Sequence, residues 1–324
     1  MKAIVCKTFG PPESLVYEEV QSRALSPSEV RIAVKAAGVN FPDTLIIQGK
    51  YQLKAEPPFT PGAEVAGTVT EVGSKIKHVR AGDEVAAFLP YGGYADEAIA
   101  AGDMVMPVPK GMSHEQAACF PLVFGTTIHA LKQRGQLKAG ETLLVLGAAG
   151  GVGLAAVQIG KLMGAKVIAA ASSPEKLALC KMQGADEVID YSKENLKEAV
   201  KKLTKGQGAD VIYDPVGGQL GQDCLSCVAW NGRVLVIGFA CGEIPQIAAN
   251  RLLLKSASLV GVFWGAFTAR EPKVSYENFE QLFAWFNDGK LSPHISHRYA
   301  LSEAPQALRD MLERKVTGKV VLIP

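Results

Sequence analysis

The sequence lacks several features that would place the chain in a specialised class. It contains no uninterrupted apolar run long enough to span a bilayer. With 34 basic and 32 acidic side chains, neither sign of charge dominates, which argues against nucleic acid or a membrane surface as a partner. Residues 1–6 pass directly into strand-like sequence, so no signal peptide is recognisable. We therefore expect a cytoplasmic, globular protein with a small-molecule partner.

Cysteine is also scarce and scattered. The six cysteines lie mostly in apolar surroundings, which favours buried free thiols in a reducing compartment over disulfides. Cys224 and Cys227 form the only pair at a metal-like spacing, and no second pair lies nearby. We interpret both as buried helix cysteines rather than as zinc ligands.

The first part of the chain, residues 1–122, is predicted to be rich in short strands. Residues 30–35 alternate between apolar and polar types, and residues 65–72 and 84–88 follow glycine-containing turns. Many short strands separated by turns about every ten residues are typical of a small barrel-like domain.

From about Phe124 onward, predicted strands alternate with predicted helices. Six strands are expected, at residues 142–146, 166–171, 187–189, 209–213, 233–238 and 258–263. Six strands with crossovers are the number in a complete doubly wound dinucleotide domain, which we assign to residues 123–265. Residues 266–324 are too few for a core of their own, so we expect them to complete the first domain.

The turn after the first of these strands carries the strongest local motif. An apolar run ends at Gly147, and Gly150, Gly151, Val152 and Gly153 open the following helix. Glycine lets the backbone approach a pyrophosphate, and the free N–H groups of a helix start hold its charge. Because Ala148 replaces one glycine of the usual motif, the turn alone is also compatible with a structural role. The alternating strands around it favour a nucleotide site.

The end of the second strand indicates which nucleotide would bind. A site for NAD usually has an acidic residue there, but this sequence has Ala171. Without that acid, nothing repels a 2′-phosphate, and Ser172, Ser173 and Lys176 can supply hydroxyls and a cation. Tyr191, after the third strand, is expected at the same pocket edge. We therefore predict NADPH, although Lys176 taken alone is equally compatible with a solvated helix lysine.

Several stretches, in order along the chain, resemble one enzyme family. They comprise residues 38–43, 61–67, 82–85, 147–153, 186–191, 208–217 and 232–233. Together they resemble the zinc-independent quinone oxidoreductase (zeta-crystallin-like) branch of the medium-chain dehydrogenase/reductase superfamily. The resemblance implies an α/β fold with a GroES-like β-barrel catalytic domain and a doubly wound Rossmann domain, with the nicotinamide in the cleft between them. It also accounts for Ala148, because the branch uses three small residues at three-residue intervals.

The same resemblance places particular residues near the nicotinamide. These are Thr127, Gly238 and Phe239 after the fifth strand, and Phe263 and Trp264 after the sixth. Ligands of open α/β sheets bind at the carboxyl ends of strands, which agrees with this placement. The aromatic side chains are equally compatible with packing between domains.

Alcohol dehydrogenases of the superfamily bind a catalytic zinc ion through Cys, His and Cys. The matching positions here are Asn40, Ala63 and about Phe120, none of which is a strong zinc ligand, whereas catalytic zinc normally has three protein ligands. The four close cysteines of the structural zinc site are also missing. His129 lies in no histidine cluster, and we expect it to be structural. The prediction is an enzyme without metal.

Three residues of the first domain are candidates for the chemistry that remains, namely Asn40, Asp43 and Tyr51. In related enoyl-thioester reductases, a tyrosine in a similar Gln-Gly-x-Tyr context is the proposed proton donor, and Tyr51 matches it. Tyr51 is equally explained as an aromatic that shapes the pocket. Asp43 is better explained as a helix cap. Asn40 is a candidate for cofactor contact as well as catalysis.

Three functions follow from these features. The leading one is an NADPH-dependent, zinc-free oxidoreductase that reduces quinones or related α,β-unsaturated carbonyl compounds by hydride transfer. The alternatives are an enoyl-CoA or enoyl-ACP reductase and an NADPH-binding protein with little turnover. The apolar strand at residues 258–263 would lie at a sheet edge, so we predict a homodimer through this strand.

Overall fold

A computed structural model describes all residues 1–324. Fifteen strands are present: β1 Lys2–Val5, β2 Val16–Glu19, β3 Glu29–Val39, β4 Glu64–Val72, β5 Glu84–Phe88, β6 Glu97–Ala101, β7 Val105–Pro107, β8 Thr142–Val145, β9 Lys166–Ala171, β10 Glu187–Asp190, β11 Ala209–Asp214, β12 Val228–Val236, β13 Ser258–Gly261, β14 Ile295–Ala300 and β15 Lys319–Ile323. Eleven α-helices accompany them: α1 Phe41–Ile46, α2 His114–Ala117, α3 Pro121–Ile128, α4 Gly151–Leu162, α5 Pro174–Met182, α6 Leu196–Leu203, α7 Gly218–Cys224, α8 Ala249–Leu253, α9 Trp264–Arg270, α10 Pro272–Asn287 and α11 Ala304–Leu312. No helix is both long and apolar enough to cross a membrane.

The chain divides into two compact units. The first comprises Met1–Leu122 together with Ser292–Pro324, and the second comprises Val123–Leu291. The sequence-based boundary placed residues 266–324 with the first unit, and the structure moves α9 and α10 to the second. The reason is side-chain packing on α3. A Cβ added to Gly125 would lie 2.6 Å from the Trp264 ring and 3.0 Å from the Phe279 ring, so both aromatic rings rest directly on that helix.

The first unit is built around β3. This eleven-residue strand pairs with β4, β6 and β15. The sheet that contains it has the strand order β14-β15-β3-β4-β5-β7, and β6 joins it by pairing with β3. The register between β3 and β4 shifts at two places, and such bulges bend strands. The strands enclose one apolar core that includes Ile32, Val65, Val85 and Leu322. The barrel-like domain and its returning last strand agree with the sequence prediction.

The second unit is a six-stranded parallel sheet in the order β10-β9-β8-β11-β12-β13. All six predicted strands are present, and every neighbouring pair is parallel. β8 is fully buried at Leu143, Leu144 and Val145, as expected for a strand covered on both faces. The chain moves to opposite sides of β8 when it forms β9 and β11, so the topological switch point lies at the carboxyl end of β8.

β13 ends this sheet and pairs only with β12. Three of its four residues are exposed, including Leu259, which is 41% exposed. Its outer edge therefore presents unpaired backbone groups beside an apolar side chain.

Candidate functional site

The turn after β8 forms an anion-binding helix start. Gly150 is the N-cap of α4, and the first hydrogen bond along the helix runs from the Leu154 N–H to the Gly150 carbonyl at 2.8 Å. The N–H groups of Gly151, Val152 and Gly153 precede that bond and have no carbonyl four residues back within the helix. Gly150 is exposed, and Gly151 and Val152 are half-buried. These N–H groups are the donors that a pyrophosphate requires.

Close packing explains which glycines this turn needs. A Cβ on Gly153 would lie 2.4 Å from the Gly147 carbonyl oxygen and 2.7 Å from the Ala148 Cα. Gly147 itself has a positive φ of 55°, which favours glycine. Ala148, by contrast, is fully buried, and its N–H donates to the Ala170 carbonyl at 3.0 Å. The irregular motif is therefore a complete dinucleotide-type turn whose tightest contact is at Gly153.

The carboxyl ends of β9 and β10 bring the predicted phosphate-reading residues to one edge. Asp190 of β10 is in register with Ala171 of β9, and the Tyr191 N–H donates to the Ala171 carbonyl at 3.2 Å. Ser173 caps α5, because its hydroxyl accepts from the Lys176 N–H at 3.4 Å. Tyr191 and Lys176 thus lie near the position where an NAD site would have its acid.

This edge fits a 2′-phosphorylated ribose. Ala171 is buried and carries no charge, so it neither repels a phosphate nor holds a ribose hydroxyl pair. Ser172 is exposed, and Lys176 is half-buried. The second unit therefore offers N–H donors suited to a pyrophosphate at the start of α4, and hydroxyl and amino groups suited to a 2′-phosphate just beyond Ala171.

Thr127 lies in a buried pair of hydroxyl groups. Its hydroxyl donates to the Val123 carbonyl at 2.7 Å and lies 2.9 Å from the Tyr213 hydroxyl. Because the Thr127 hydrogen is used in the contact with Val123, the Tyr213 hydroxyl, whose pKa is raised by burial, is the donor to Thr127. Thr127 also lies 3.5 Å from the Val152 carbonyl, beside the pyrophosphate turn. Sequence reasoning missed Tyr213, although a tyrosine near the end of a buried strand implies a hydroxyl that needs a partner.

The other residues predicted to lie near the nicotinamide differ in exposure. Gly238 and Phe239, after β12, are half-buried. Phe263 is 61% exposed, whereas Trp264 is 5% exposed and contacts Phe279 edge-on with ring centroids 6.3 Å apart. Trp264 therefore has a packing role in the second unit.

The first unit contains a buried ion pair beside the candidate catalytic residues. The Lys319 Nζ lies 2.7 Å from the Glu64 Oε1, and both side chains are almost completely buried. The same ammonium donates to the Val39 carbonyl at 3.0 Å and to the Asn40 Oδ1 at 2.6 Å. The Asn40 Nδ2 donates to the Glu64 Oε1 at 2.7 Å. Both polar ends of Asn40 are thus engaged within the first unit, which gives it a positioning role.

Asp43 extends this cluster. One oxygen of its carboxyl group, Oδ2, accepts from the Asn40 N–H and from the Tyr94 hydroxyl, each at 2.8 Å. The first of these contacts closes the start of α1, in which Asn40 is the N-cap and Asp43 is the third helical residue, so Asp43 supports the cap without being the N-cap itself. Sequence reasoning missed Glu64, Tyr94 and Lys319 as members of the site. One signal was available, since a lysine that opens the apolar last strand needs a buried partner.

Burial controls the ionisation of these groups. It raises the pKa of Asp43 to about 7. The hydrogen bonds from Tyr94 and Asn40 and the charge of Lys319 lower this pKa, but they do not offset the effect of burial. The pKa of Tyr51 is raised by burial and then by the negative charge of Asp43. The pKa of Tyr94 is raised strongly, mainly by burial and to a smaller extent by the negative charge of Asp43. Tyr51 and Tyr94 therefore carry their protons at neutral pH.

The positions that match zinc ligands hold other groups. Asn40 belongs to the ion-pair cluster, and Ala63 and Phe120 are buried. No group of three or more His, Cys, Asp or Glu side chains is placed to hold a metal ion.

The cysteines and His129 are packed among other protein groups. All six cysteines are free, and Cys224 and Cys227 are buried with raised thiol pKa values, mainly through desolvation. Their thiols contact the Gly221 and Asp223 carbonyls of α7. His129 is buried and stacks on Phe267 with ring centroids 3.8 Å apart.

Known proteins resemble this chain over nearly its whole length. Residues 26–110 match the family described as alcohol dehydrogenase GroES-like domain, and residues 151–287 match zinc-binding dehydrogenase. The chain is 43% identical to quinone oxidoreductase-like protein 2 homolog of Nematostella vectensis, over 99% of this chain and 88% of that protein. It is 37% identical to a quinone oxidoreductase of Pseudomonas aeruginosa, over 100% of this chain and 99% of that protein.

A solved structure agrees with this similarity. The crystal structure of Escherichia coli quinone oxidoreductase complexed with NADPH has a TM-score of 0.93 and 30% identity, and each chain is covered completely.

The packing at Gly153 yields a test of the turn. We expect Gly153→Ala to lower the thermal midpoint of the protein by several degrees, because the new Cβ must displace the Gly147 carbonyl. Gly150→Ala is the matched control, since its Cβ would meet only the Gly147 oxygen at 3.4 Å. Calorimetry of both variants without cofactor measures the effect, and equal midpoints would contradict this description of the turn.

Proposed function

Because this chain belongs to the quinone oxidoreductase branch of the medium-chain dehydrogenase/reductase superfamily, we propose that it reduces quinones or related α,β-unsaturated carbonyl compounds with NADPH and without zinc. The observation that carries the proposal is the joint arrangement of the α4 start and the Ala171 edge. The start of α4 supplies N–H donors for the pyrophosphate. The edge at Ala171 lacks the acid that would bind a ribose and has groups suited to a phosphate instead.

Each part of the chain has a definite task in this reaction. Gly151, Val152 and Gly153 hold the pyrophosphate, and Ser172 and Lys176 hold the 2′-phosphate. NADPH supplies a hydride when it is bound. A quinone that accepts this hydride needs one further proton on oxygen, which water can provide, so the reaction requires little from protein side chains.

Reduction of an activated alkene makes a stronger demand, because a proton must be delivered to carbon. Tyr51 is the group that supports this second activity, since burial raises its pKa and it keeps its proton at neutral pH. This observation favours enoyl-CoA or enoyl-ACP reduction as the second candidate function. Asn40 and Asp43 act in either reaction by positioning, as their polar atoms are engaged with protein partners.

A third candidate, NADPH binding with little turnover, uses the same pocket. It differs from the other two only in the absence of an acceptor that reacts. Tight NADPH binding by calorimetry without NADPH oxidation for any acceptor would support it.

We also propose a homodimer formed through β13. Its free edge is apolar, and Leu253 and Leu254 just before it are 79% and 73% exposed. Antiparallel pairing of two copies of β13 would satisfy both edges in one isologous contact.

An acceptor screen tests the function directly. We expect NADPH oxidation with quinones and, more slowly, with crotonyl-CoA. Tyr51→Phe should lower kcat with crotonyl-CoA by roughly 10²-fold, because only that reaction uses its proton, and should leave quinone reduction nearly unchanged. Absence of oxidation with a panel of quinones and enones would refute the proposal.

Cofactor selection has its own test at Lys176. We expect Lys176→Ala to raise the KM for NADPH roughly tenfold or more and to leave the KM for NADH nearly unchanged, through loss of a charge-assisted contact. Lys197→Ala, at an exposed lysine of α6, is the control for a general charge effect. Equal changes for both cofactors would show that Lys176 does not read the phosphate.

Light scattering at micromolar concentration tests the dimer. We expect twice the chain mass of 34.4 kDa for the wild type and a shift toward one chain for Leu259→Lys, because a charge would lie in the pairing edge. Met182→Lys, at a residue 75% exposed on α5, should stay dimeric. A wild-type protein with the mass of one chain would contradict the proposal.

A further inference from the structure

Two buried hydroxyl groups of the second unit lie beside the pyrophosphate turn. Tyr213 belongs to β11 and Thr127 to α3, and both residues are 0% exposed. Their hydroxyl oxygens are 2.9 Å apart. Because water does not reach these groups, each depends on protein partners for its hydrogen bonds. A group without accessible surface does not touch a bound molecule, so both residues act on a cofactor indirectly.

The hydrogen of the Thr127 hydroxyl has two carbonyl oxygens within reach. The Val123 carbonyl oxygen lies 2.7 Å from the Thr127 Oγ1, and the Val152 carbonyl oxygen lies 3.5 Å from it. A threonine hydroxyl has a single hydrogen, and the shorter contact takes it. The Tyr213 hydroxyl donates to the same Thr127 oxygen from the side of β11. The Val152 carbonyl is therefore left with only a long contact to Thr127.

The Val152 carbonyl is coupled to a donor of the pyrophosphate site. Val152 lies in the first turn of α4, and its carbonyl is the intrahelical acceptor for the N–H four residues further on, that of Ala156. The Val152 carbonyl and the Gly153 N–H belong to one planar peptide unit, so they turn together. A second hydrogen bond to the Val152 carbonyl would therefore change the direction of the Gly153 N–H.

Tyr213 is held in place by the sheet that carries the turn. It is in register with Val145 of β8, and its carbonyl accepts from the Leu146 N–H at 3.0 Å. Hydrogen bonds that follow one another in a chain strengthen each other, so donation from Tyr213 strengthens the bond from Thr127 to the Val123 carbonyl. The Tyr213 hydroxyl thereby keeps the Thr127 hydrogen away from α4.

We propose that Tyr213 is a positioning residue for the cofactor pyrophosphate and acts through Thr127. With the Tyr213 hydroxyl present, the Thr127 hydrogen stays on the Val123 carbonyl. The peptide between Val152 and Gly153 then keeps the direction that α4 gives it. Without that hydroxyl, the Thr127 hydrogen moves to the Val152 carbonyl and turns this peptide. The proposal rests on the proposed function, because it concerns the NADPH site of that function.

Cofactor binding to the full-length protein, measured by calorimetry, tests this role. We expect Tyr213→Phe to raise the Kd of NADPH and the Kd of NADH by the same factor, roughly three- to tenfold, because both cofactors contain the pyrophosphate. Tyr299→Phe is the matched control, since it removes a tyrosine hydroxyl that donates to Asp310 at 2.7 Å in the first unit, and both Kd values should stay unchanged. An unchanged Kd in Tyr213→Phe, or a rise for only one cofactor, would overturn the proposal.

A double variant separates positioning from a general loss of stability. Tyr213→Phe alone leaves the Thr127 hydroxyl free to bond to the Val152 carbonyl. Thr127→Val combined with Tyr213→Phe removes both hydroxyl groups and leaves neither buried partner unsatisfied. We therefore expect the double variant to bind NADPH within about twofold of the wild type. A Kd as high as that of Tyr213→Phe alone would contradict the proposed route through Thr127.

The Gly153 amide reports on the turn in the absence of cofactor. The full-length protein is labelled with ¹⁵N-glycine, and the Gly153 resonance is identified by its loss in Gly153→Ala. We expect this resonance to shift in Tyr213→Phe, to return close to its wild-type position in the double variant, and to stay in place in Tyr299→Phe. A Gly153 resonance that does not move in Tyr213→Phe would overturn the proposal. Failure of the wild type to bind NADPH would instead refute the proposed function, because the Gly153 shift requires no cofactor.

Discussion

The buried contact between Lys319 and Glu64 is the constraint on which the first unit depends. A lysine and a glutamate that leave water together lose several kcal/mol of hydration each, so both must be fully bonded in the fold. The Lys319 ammonium donates to three acceptors, which are the Val39 carbonyl of β3, the Asn40 Oδ1 and the Glu64 Oε1 of β4. Removing one partner would leave an unpaired buried charge, at a cost of about 3–5 kcal/mol. The last strand is thereby held against the start of α1.

This constraint also shapes the chemistry. Asn40 stands where zinc-dependent relatives have a metal ligand, and here its carboxamide bridges an ammonium and a carboxylate. The Asn40 backbone N–H donates a hydrogen bond to Asp43. The negative charge of Asp43, after burial, raises the pKa of Tyr51. In the second unit, a steric constraint has the comparable role, because the contact of Gly153 with the Gly147 carbonyl sets the start of α4 and the direction of its N–H groups.

Much of this architecture was predictable from patterns along the chain. The six parallel strands follow from short apolar runs separated by helical segments, and the glycine turn follows from its own spacing. The Ser173 cap of α5 was also predictable, because capping is local. The boundary at residue 265 was misplaced, because α9 and α10 contact Gly125, and contacts between residues so far apart leave no periodic signal in the sequence.

By itself, the sequence determined the order of elements, the nucleotide-binding turn and the absence of an acid at Ala171, since each depends on neighbouring residues. Only the tertiary structure decided which buried polar groups meet. Lys319 and Glu64 are separated by 255 positions, and Tyr94 and Asp43 by 51, yet each pair lies within hydrogen-bonding distance. Their ionisation depends on burial and on the charges brought near them, and both are properties of the folded chain rather than of any segment.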